Sequence, residues 1–340
     1  MRPARGDVAQ LKKELIGILE EDFPKERADE IYTDMLFNIG KLREENLDVM
    51  ELRLLNTAFK ELRYALKIFK PYRHTPKAAV FGSARTEIDH SSFKLAQEFG
   101  KKLAKKGWML ITGGASGIME AAMTGAGTKN SFGLNILLPF EQAASEVIRG
   151  DEKLIHFKYF FTRKLMFLKE SQATVLFPGG FGTFDEGFES LTLVQTGKAM
   201  PRPIVALDAP GSDFWKSTLR VFKKNMEGEK VISDTDLSLI RHFQNADEGV
   251  AEITGFYRNY ESSRFLKDRY LVRLRRPLPD GVLSKMNRDF KDILSEGSFE
   301  RLTDLAGEDN KDPGLGRIVF SFDRSGYSRL RQLIDYLNSV

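Results

Sequence analysis

The stretch Ala173–Glu186, ATVLFPGGFGTFDE, narrows what this chain can fold into more than any other. Val175, Leu176 and Phe177 form an apolar run of the kind that fills a buried strand. Pro178-Gly179-Gly180 ends the run, because two glycines permit backbone angles that other residues avoid. A periodic segment opens at Gly182-Thr183, with Thr183 or Asp185 as its expected cap and Glu186 in its first turn. A glycine turn then meets free N–H groups and the positive end of a helix dipole, a place for an anion or a phosphate. Glu186 runs against that logic. A site that only binds a phosphorylated compound needs no carboxylate, whereas a site that hydrolyses one has a use for it.

The same unit recurs along the chain. From Lys77 onward Ala78–Phe81, Trp108–Thr112, Gly133–Leu138, Lys153–Phe160, the run at Ala173 and Pro203–Leu207 read as strands. Ser92–Lys106, Gly117–Gly127, Thr162–Ser171, Thr183–Lys198, Asp213 to Met226 and Asp247–Tyr260 read as helices between and after them. Such alternation implies an α/β fold, a Rossmann-like parallel sheet with helices on both faces. Glycine turns follow Phe81, Thr112 and Phe177. All three fall at strand carboxyl ends, where sheets of this kind bind ligands, so one crevice is expected to collect them.

Two segments flank this unit. Asp7–Lys70 reads as wholly helical, with Leu52, Leu55, Phe59, Leu62, Leu66 and Phe69 at three- and four-residue spacing. That stripe suits a layer packed on the main domain or on a partner subunit. Past Ser262, Tyr270–Arg275 and Arg317–Phe322 read as strands, Leu283–Leu294 and Tyr327–Leu337 as helices, and Gly307–Gly316 as a loop. The expected organisation is a helical extension over residues 1–76, an α/β nucleotide-binding domain over 77–261 and a small α/β appendage over 262–340.

Composition excludes several chemistries. There is no cysteine, so thiol nucleophiles, disulfides and cysteine metal sites are out. The four histidines, His74, His90, His156 and His242, lie at no metal-ligand spacing, and no metal is expected. Ser83 has no nucleophile elbow around it, which argues against a serine hydrolase. A net charge of +4 over 340 residues suits small anions and argues only weakly for nucleic acid. The basic run Arg264–Arg276 is diluted by Asp268, with Asp280 and Glu308-Asp309 beyond it, so DNA is a poor candidate partner. No run approaches the roughly 20 apolar residues of a membrane helix, and no secretory signal is visible behind Met1. A cytoplasmic protein is the expectation.

Three motifs then fall into one pattern. PGGFGTFDE (178–186) resembles the PGGxGTxxE signature of the LOG family, the cytokinin-activating nucleoside-monophosphate phosphoribohydrolases that also carry the label lysine decarboxylase. TGGASGIMEAA, Thr112–Ala122, is similar to that family's GGGxxGxME block, and it fails as a dinucleotide fingerprint for want of the first strand and an acidic partner. FTRKLMF, Phe161–Phe167, resembles the RKxxM motif, with the methionine arriving one residue early at Met166. The resemblance covers about Lys77 to Tyr260. Taken alone, Arg163 and Lys164 would read as a solvated helix face, and Met119 and Met166 as core.

The resemblance implies a nucleoside 5′-monophosphate hydrolase, AMP- or cytokinin-ribotide-directed, that releases free base and ribose 5-phosphate without a cofactor. It puts the catalytic roles on Arg163 and Glu186. The phosphate would sit on Gly179, Gly180, Gly182 and Thr183, with Ser83 and Gly114 beside them and Lys164 and Glu120 as further substrate contacts. It also implies a homodimer or larger homo-oligomer. Lysine decarboxylation would need a pyridoxal-phosphate lysine in a large cofactor domain, which nothing in the sequence marks. The rival reading is a non-catalytic carrier or sensor of nucleotides or phosphorylated cofactors on the same fold, against which the joint presence of Arg163 and Glu186 speaks.

Overall fold

The computed structural model describes residues 28–136, 144–302, 308 and 312–340. Two compact units divide the chain, one through Lys60 and one from Glu61 to Val340. In the first unit the helical reading is interrupted once. Helix α1 covers Ala28–Glu44, and α2 starts at Val49 and runs on to Phe69. The break is a capping box: the Asp48 carboxylate accepts from the N–H groups of Met50 and Glu51 at 2.6 and 2.8 Å, and Glu51 accepts from the Asp48 N–H at 2.8 Å. The part of the helical reading that covers Asp7 to residue 27 lies outside the described residues.

The second unit is organised on seven strands: β1 (Lys77–Phe81), β2 (Met109–Thr112), β3 (Ser131–Ile136), β4 (Leu154–Phe157), β5 (Ala173–Leu176), β6 (Ile204–Leu207) and β7 (Ile240–Phe243). Their order is β4-β3-β2-β1-β5-β6-β7 and every pairing is parallel. The chain therefore works outward from β1 on one side, then returns to build outward on the other. The switch in direction lies between β1 and β5, which pair directly from Ala78↔Ala173 to Phe81↔Leu176.

Both faces of this sheet are covered, which is why its central strands are mostly apolar on both sides instead of alternating. Ala78, Val80, Leu110, Val175 and Val205 face one core, closed by α3 (Ser91–Lys105), α4 (Ile118–Ala126) and α8 (Ala246–Phe256). Their neighbours Ala79, Phe81, Ile111, Leu176 and Ala206 face the other. That second core is closed by Ala65 and Phe69 at the end of α2, and by α5 (Phe160–Glu170), α6 (Phe181–Gln195) and α7 (Phe214–Phe222). Phe69 stacks on Phe132 with ring centroids 4.3 Å apart. Each such buried ring is worth roughly 1.5–3 kcal/mol over its exposed state.

Several boundaries move. The helix after β5 starts at Phe181 with Gly180 as its N-cap, so neither Thr183 nor Asp185 caps it. The segment expected to stay helical to Met226 leaves α7 at Phe222 and winds as a π-turn over Lys223–Glu227. Strand β7 has no counterpart in the sequence reading: IRHF is four residues long and half polar, too short for any periodicity to show. The end of the third expected strand, Leu138, lies outside the described residues.

The C-terminal segment contains the two expected strands and two expected helices, with two further strands that complete a four-stranded antiparallel sheet, β10-β11-β9-β8. Its strands are β8 (Tyr260–Leu266), β9 (Arg269–Leu274), β10 (Leu294–Arg301) and β11 (Gly316–Phe322), joined by α9 (Val282–Asp289) and closed by α10 (Tyr327–Ser339). Strands β8 and β10 have no counterpart in the sequence reading, which reaches only their first residues, Tyr260 and Leu294, as helix ends. They are polar edge strands, and β10 is interrupted by register shifts near Gly297, which has φ +68°. The buried Asn338 side chain ties α10 to the preceding domain: it accepts from Asn259 N–H and Tyr260 N–H at 2.8 and 2.9 Å and donates to Phe256 O. Of the expected loop 307–316, Gly307 and residues 309–311 lie outside the described residues. No helix among the described residues is long and apolar enough to cross a membrane.

Candidate functional site

The three glycine turns meet at the switch between β1 and β5. Ser83 N–H donates to Pro178 O at 3.0 Å, which joins the turn after β1 to the turn after β5. Ile118 N–H donates to Ser83 O at 3.0 Å, and the Ser116 hydroxyl donates to Ala84 O at 2.8 Å, which brings in the turn after β2. Two glycines make this contact sterically possible. A side chain on Gly117, whose φ is +68°, would place its Cβ 2.3 Å from Ser83 O. One on Gly179 would place it 2.1 Å from the Thr183 hydroxyl and 3.0 Å from Ser83 N. Gly180 and Gly182, by contrast, have open space where a Cβ would stand. With Gly180 as N-cap, the N–H groups of Phe181 and Gly182 occupy the first two helical positions, which have no intrahelical acceptor.

The buried carboxylate stands one turn further on. Glu186 is only 5 % exposed, and its Oε1 has no hydrogen-bond partner among the described residues. Two cations from α5 face it: Arg163 Nη2 lies 3.7 Å from Oε1, and Lys164 Nζ lies 3.6 Å from Oε2. Neither distance is a hydrogen bond. Arg163 Nε is likewise buried without a partner. Its guanidinium packs over Phe160 and Phe167, with the ring centroids 4.9 and 5.8 Å away. A carboxylate oxygen and a guanidinium thus face each other across a gap wider than a direct hydrogen bond, each with hydrogen-bonding capacity to spare.

Burial shapes the charges. It pushes the Glu186 carboxyl up from the ordinary carboxylate range, and the fields of Lys164 and Arg163 offset only part of that. Burial also pushes Arg163 down from its usual value, against the pull of Glu186 and Asp185. Lys164 moves the other way: burial lowers it, but hydrogen bonds to Glu189 and Asp185 outweigh burial and hold it above the usual lysine range. Its ammonium lies 2.9 Å from Asp185 and 2.8 Å from Glu189, so three carboxylates of α6 engage it.

The remaining expected residues spread around this centre. The Ser83 hydroxyl accepts from Arg85 N–H at 3.1 Å, and Gly114 N–H donates to the Thr112 hydroxyl at 3.0 Å. Thr183 is buried against Gly179. Glu120, in the first turn of α4, accepts from the Ser145 hydroxyl at 3.2 Å. Met166 is fully packed in the core, and Met119 is half-buried against the turn at Gly113. His242 pairs with the buried Asp208 at 2.9 Å, and Asp208 also accepts from Trp215 N–H at 2.9 Å, a brace for the start of α7. No group of three or more metal-ligating side chains occurs among the described residues.

Sequence reasoning passed over one residue that sets this site. Glu61, on α2, accepts from Lys158 N–H at 2.7 Å and from the Thr162 hydroxyl at 2.6 Å, so it fixes the start of the helix that carries Arg163. It sat unnoticed in an amphipathic stripe about 100 residues away, where a glutamate reads as solvated face. Asp185 and Glu189 were in plain sight beside Glu186, and only the approach of α5 gives them a partner.

Residues 117–253 match the family model described as "Possible lysine decarboxylase". Over 180 residues, 52% of this chain and 75% of the relative, the sequence is 27% identical to the probable cytokinin riboside 5′-monophosphate phosphoribohydrolase LOG4 of Oryza sativa subsp. japonica. It is 30% identical over 122 residues to the cytokinin riboside 5′-monophosphate phosphoribohydrolase of Mycobacterium tuberculosis. That match spans 35% of this chain and 63% of the mycobacterial protein, under two thirds of its length. Among solved structures, the molybdenum cofactor binding protein of Rippkaea orientalis aligns with 53% of this chain and 96% of its own, at 18% identity and a TM-score of 0.37. A likeness that distant transfers no ligand.

Proposed function

We propose that this protein, whose central domain belongs to the LOG family, hydrolyses the N-glycosidic bond of a nucleoside 5′-monophosphate. The observation that carries the reading is the buried Glu186 set beside a phosphate-type helix start and facing Arg163. Water attacks the ribose C1′, the bond from C1′ to the base nitrogen breaks, and the proton lost by the water ends on the departing base. The products are free base and ribose 5-phosphate.

Each group has a physical role in that step. The 5′-phosphate lies on the N–H groups at the start of α6, between Gly180 and Thr183, with Ser83 and Gly114 closing the turns around it. Positive charge grows on the ribose as the bond to the base lengthens, and the Glu186 carboxylate stabilises it at close range from a buried position. Its raised proton affinity also makes it a better base toward the attacking water than an exposed glutamate would be. Arg163 stays protonated and orients the ribose hydroxyls or Glu186 itself. Lys164 is a positioning residue: it draws Asp185, Glu186 and Glu189 together and so sets the angle of the carboxylate.

The surroundings suit a second subunit. Phe181 is 94 % exposed in the middle of the motif, and Phe160, Phe161 and Leu165 stand half-exposed on the helix that carries Arg163. An apolar collar around a polar site supports a homodimer in which that collar is covered.

The test is incubation with a panel of nucleoside 5′-monophosphates, including AMP, CMP and isopentenyl-AMP, with chromatographic detection of free base. Release of one base, together with ribose 5-phosphate, is expected. Recovery of every monophosphate intact from a protein that binds it would move the assignment to a nucleotide carrier.

A further inference from the structure

The opposite end of the parallel sheet holds a second concave site. A cleft of about 460 Å³ opens where β1, β2 and β5 begin, at the amino ends of the strands whose carboxyl ends carry the glycine turns. That volume falls within the roughly 300–1,000 Å³ of small-molecule sites. The cleft is assembled from five places: the linker before β1, the turn between α3 and β2, the turn between α5 and β5, the end of α8 and the appended antiparallel domain.

Its lining has a definite chemistry. Arg73 comes from the linker, Lys106 from the α3–β2 turn and Arg275 from the end of β9. None of the three makes an ion pair among the described residues, and Glu261 is the one carboxylate in the lining. The wall behind them is aromatic: Trp108 and Tyr257 lie 5.8 Å apart, ring to ring. Helix C-termini account for part of the positive charge, since α3 and α8 both end here and a cation at such an end is favourable. Arg73 likewise stands at a helical end, the 3-10 turn Lys70–Tyr72 that follows α2, and its Nε donates to Lys70 O at 3.4 Å; what points to a ligand is that three such cations gather on one aromatic-walled cleft.

Cations gathered around an aromatic wall recognise a planar ring joined to a phosphate chain. We infer that this cleft binds a nucleoside diphosphate or a closely related nucleotide, with the phosphates on Arg73, Lys106 and Arg275 and the base against Trp108 and Tyr257. This second site stands apart from the Glu186 crevice and does not rest on the hydrolysis proposed there. The occupant would also press on the foot of α5: Tyr257 donates its hydroxyl proton to Gln172 O at 2.7 Å, and Gln172 lies two residues beyond that helix.

Titration calorimetry with ADP and with inorganic pyrophosphate tests it on the full chain. Wild type is expected to bind ADP saturably and pyrophosphate more weakly. The double reversal Lys106→Glu with Arg275→Glu is expected to weaken ADP by at least about tenfold; both residues are exposed, and because Arg275 Nε also donates to Tyr257 O at 3.1 Å, circular dichroism checks that the variant is folded. Glu261→Gln is expected to tighten ADP about threefold, a gain that no misfolded variant could mimic. ADP affinity unmoved by both changes would overturn the site. Equal affinity for ADP and pyrophosphate would overturn the nucleoside assignment, because the aromatic wall would then contribute nothing.

Discussion

The two ends of the parallel sheet are built by different means for the ligands proposed at them. At the carboxyl end the work falls to backbone: glycine turns locked together by hydrogen bonds from Ser83 N–H and Ile118 N–H, the start of α6, and one buried carboxylate held between Arg163 and Lys164. At the amino end the cleft is made of long, exposed side chains borrowed from separate segments, with an aromatic wall behind them. The first arrangement is rigid and intolerant, as a site for chemistry has to be. The second keeps its aromatic wall packed on the core but presents its cations on exposed side chains, which suits the binding proposed there.

Substitutions should separate the two. The largest effect is expected from Glu186→Gln, which keeps the volume but removes the charge. Base release should fall by about 10³-fold, within the range that general-base and electrostatic groups supply. Next comes Arg163→Ala at about 10²-fold, with lysine at that position restoring little because it cannot replace the planar fork. Circular dichroism should show both variants folded.

Stability gives the next contrast. Gly117→Ala forces a side chain into a left-handed backbone position and against Ser83 O, so thermal melting should reveal a loss of about 2 kcal/mol or more. Lys106→Glu at the amino end should change stability by no more than about 0.5 kcal/mol. Equal losses at the two positions would erase the distinction between a rigid and a permissive end.

The smallest effect concerns pH. If Glu186 acts as a carboxylate, as proposed, then because burial raises its proton affinity, activity should fall as pH drops through a value above the ordinary glutamate figure of about 4.3. Lys164 favours the charged form. Lys164→Met should therefore move the acid limb of kcat/KM further up, by about half a unit to one unit, whereas a mere packing role would leave the limb in place.

The same contrast explains what the sequence made legible. The carboxyl-end site is written locally: fourteen consecutive residues from Ala173 to Glu186 hold a strand, a turn, a helix start and the carboxylate, and the other two glycine turns repeat the pattern. Apolar strands buried on both faces announce themselves as well, which made β1, β2, β5 and β6 readable. The amino-end cleft has no local signature, since Arg73, Lys106, Tyr257 and Arg275 are joined only by the fold. Glu61 stayed hidden for the same reason: its role exists only once Thr162 is brought to it. The missed strands β7, β8 and β10 are edge or near-edge strands with polar sequences, where pairing with a neighbour, and not periodicity, decides the conformation.

The central claim is that the carboxyl-end crevice performs hydrolysis and does more than hold a nucleotide. The most direct test is a single turnover, with protein in excess over AMP or whichever monophosphate the panel selects, and with binding measured in parallel for wild type and Glu186→Gln. Wild type should yield free base and ribose 5-phosphate in equal amounts, and the variant should bind the monophosphate within a few-fold of wild type yet release almost no base. Intact monophosphate recovered from wild type, or undiminished base release by Glu186→Gln, would contradict the account.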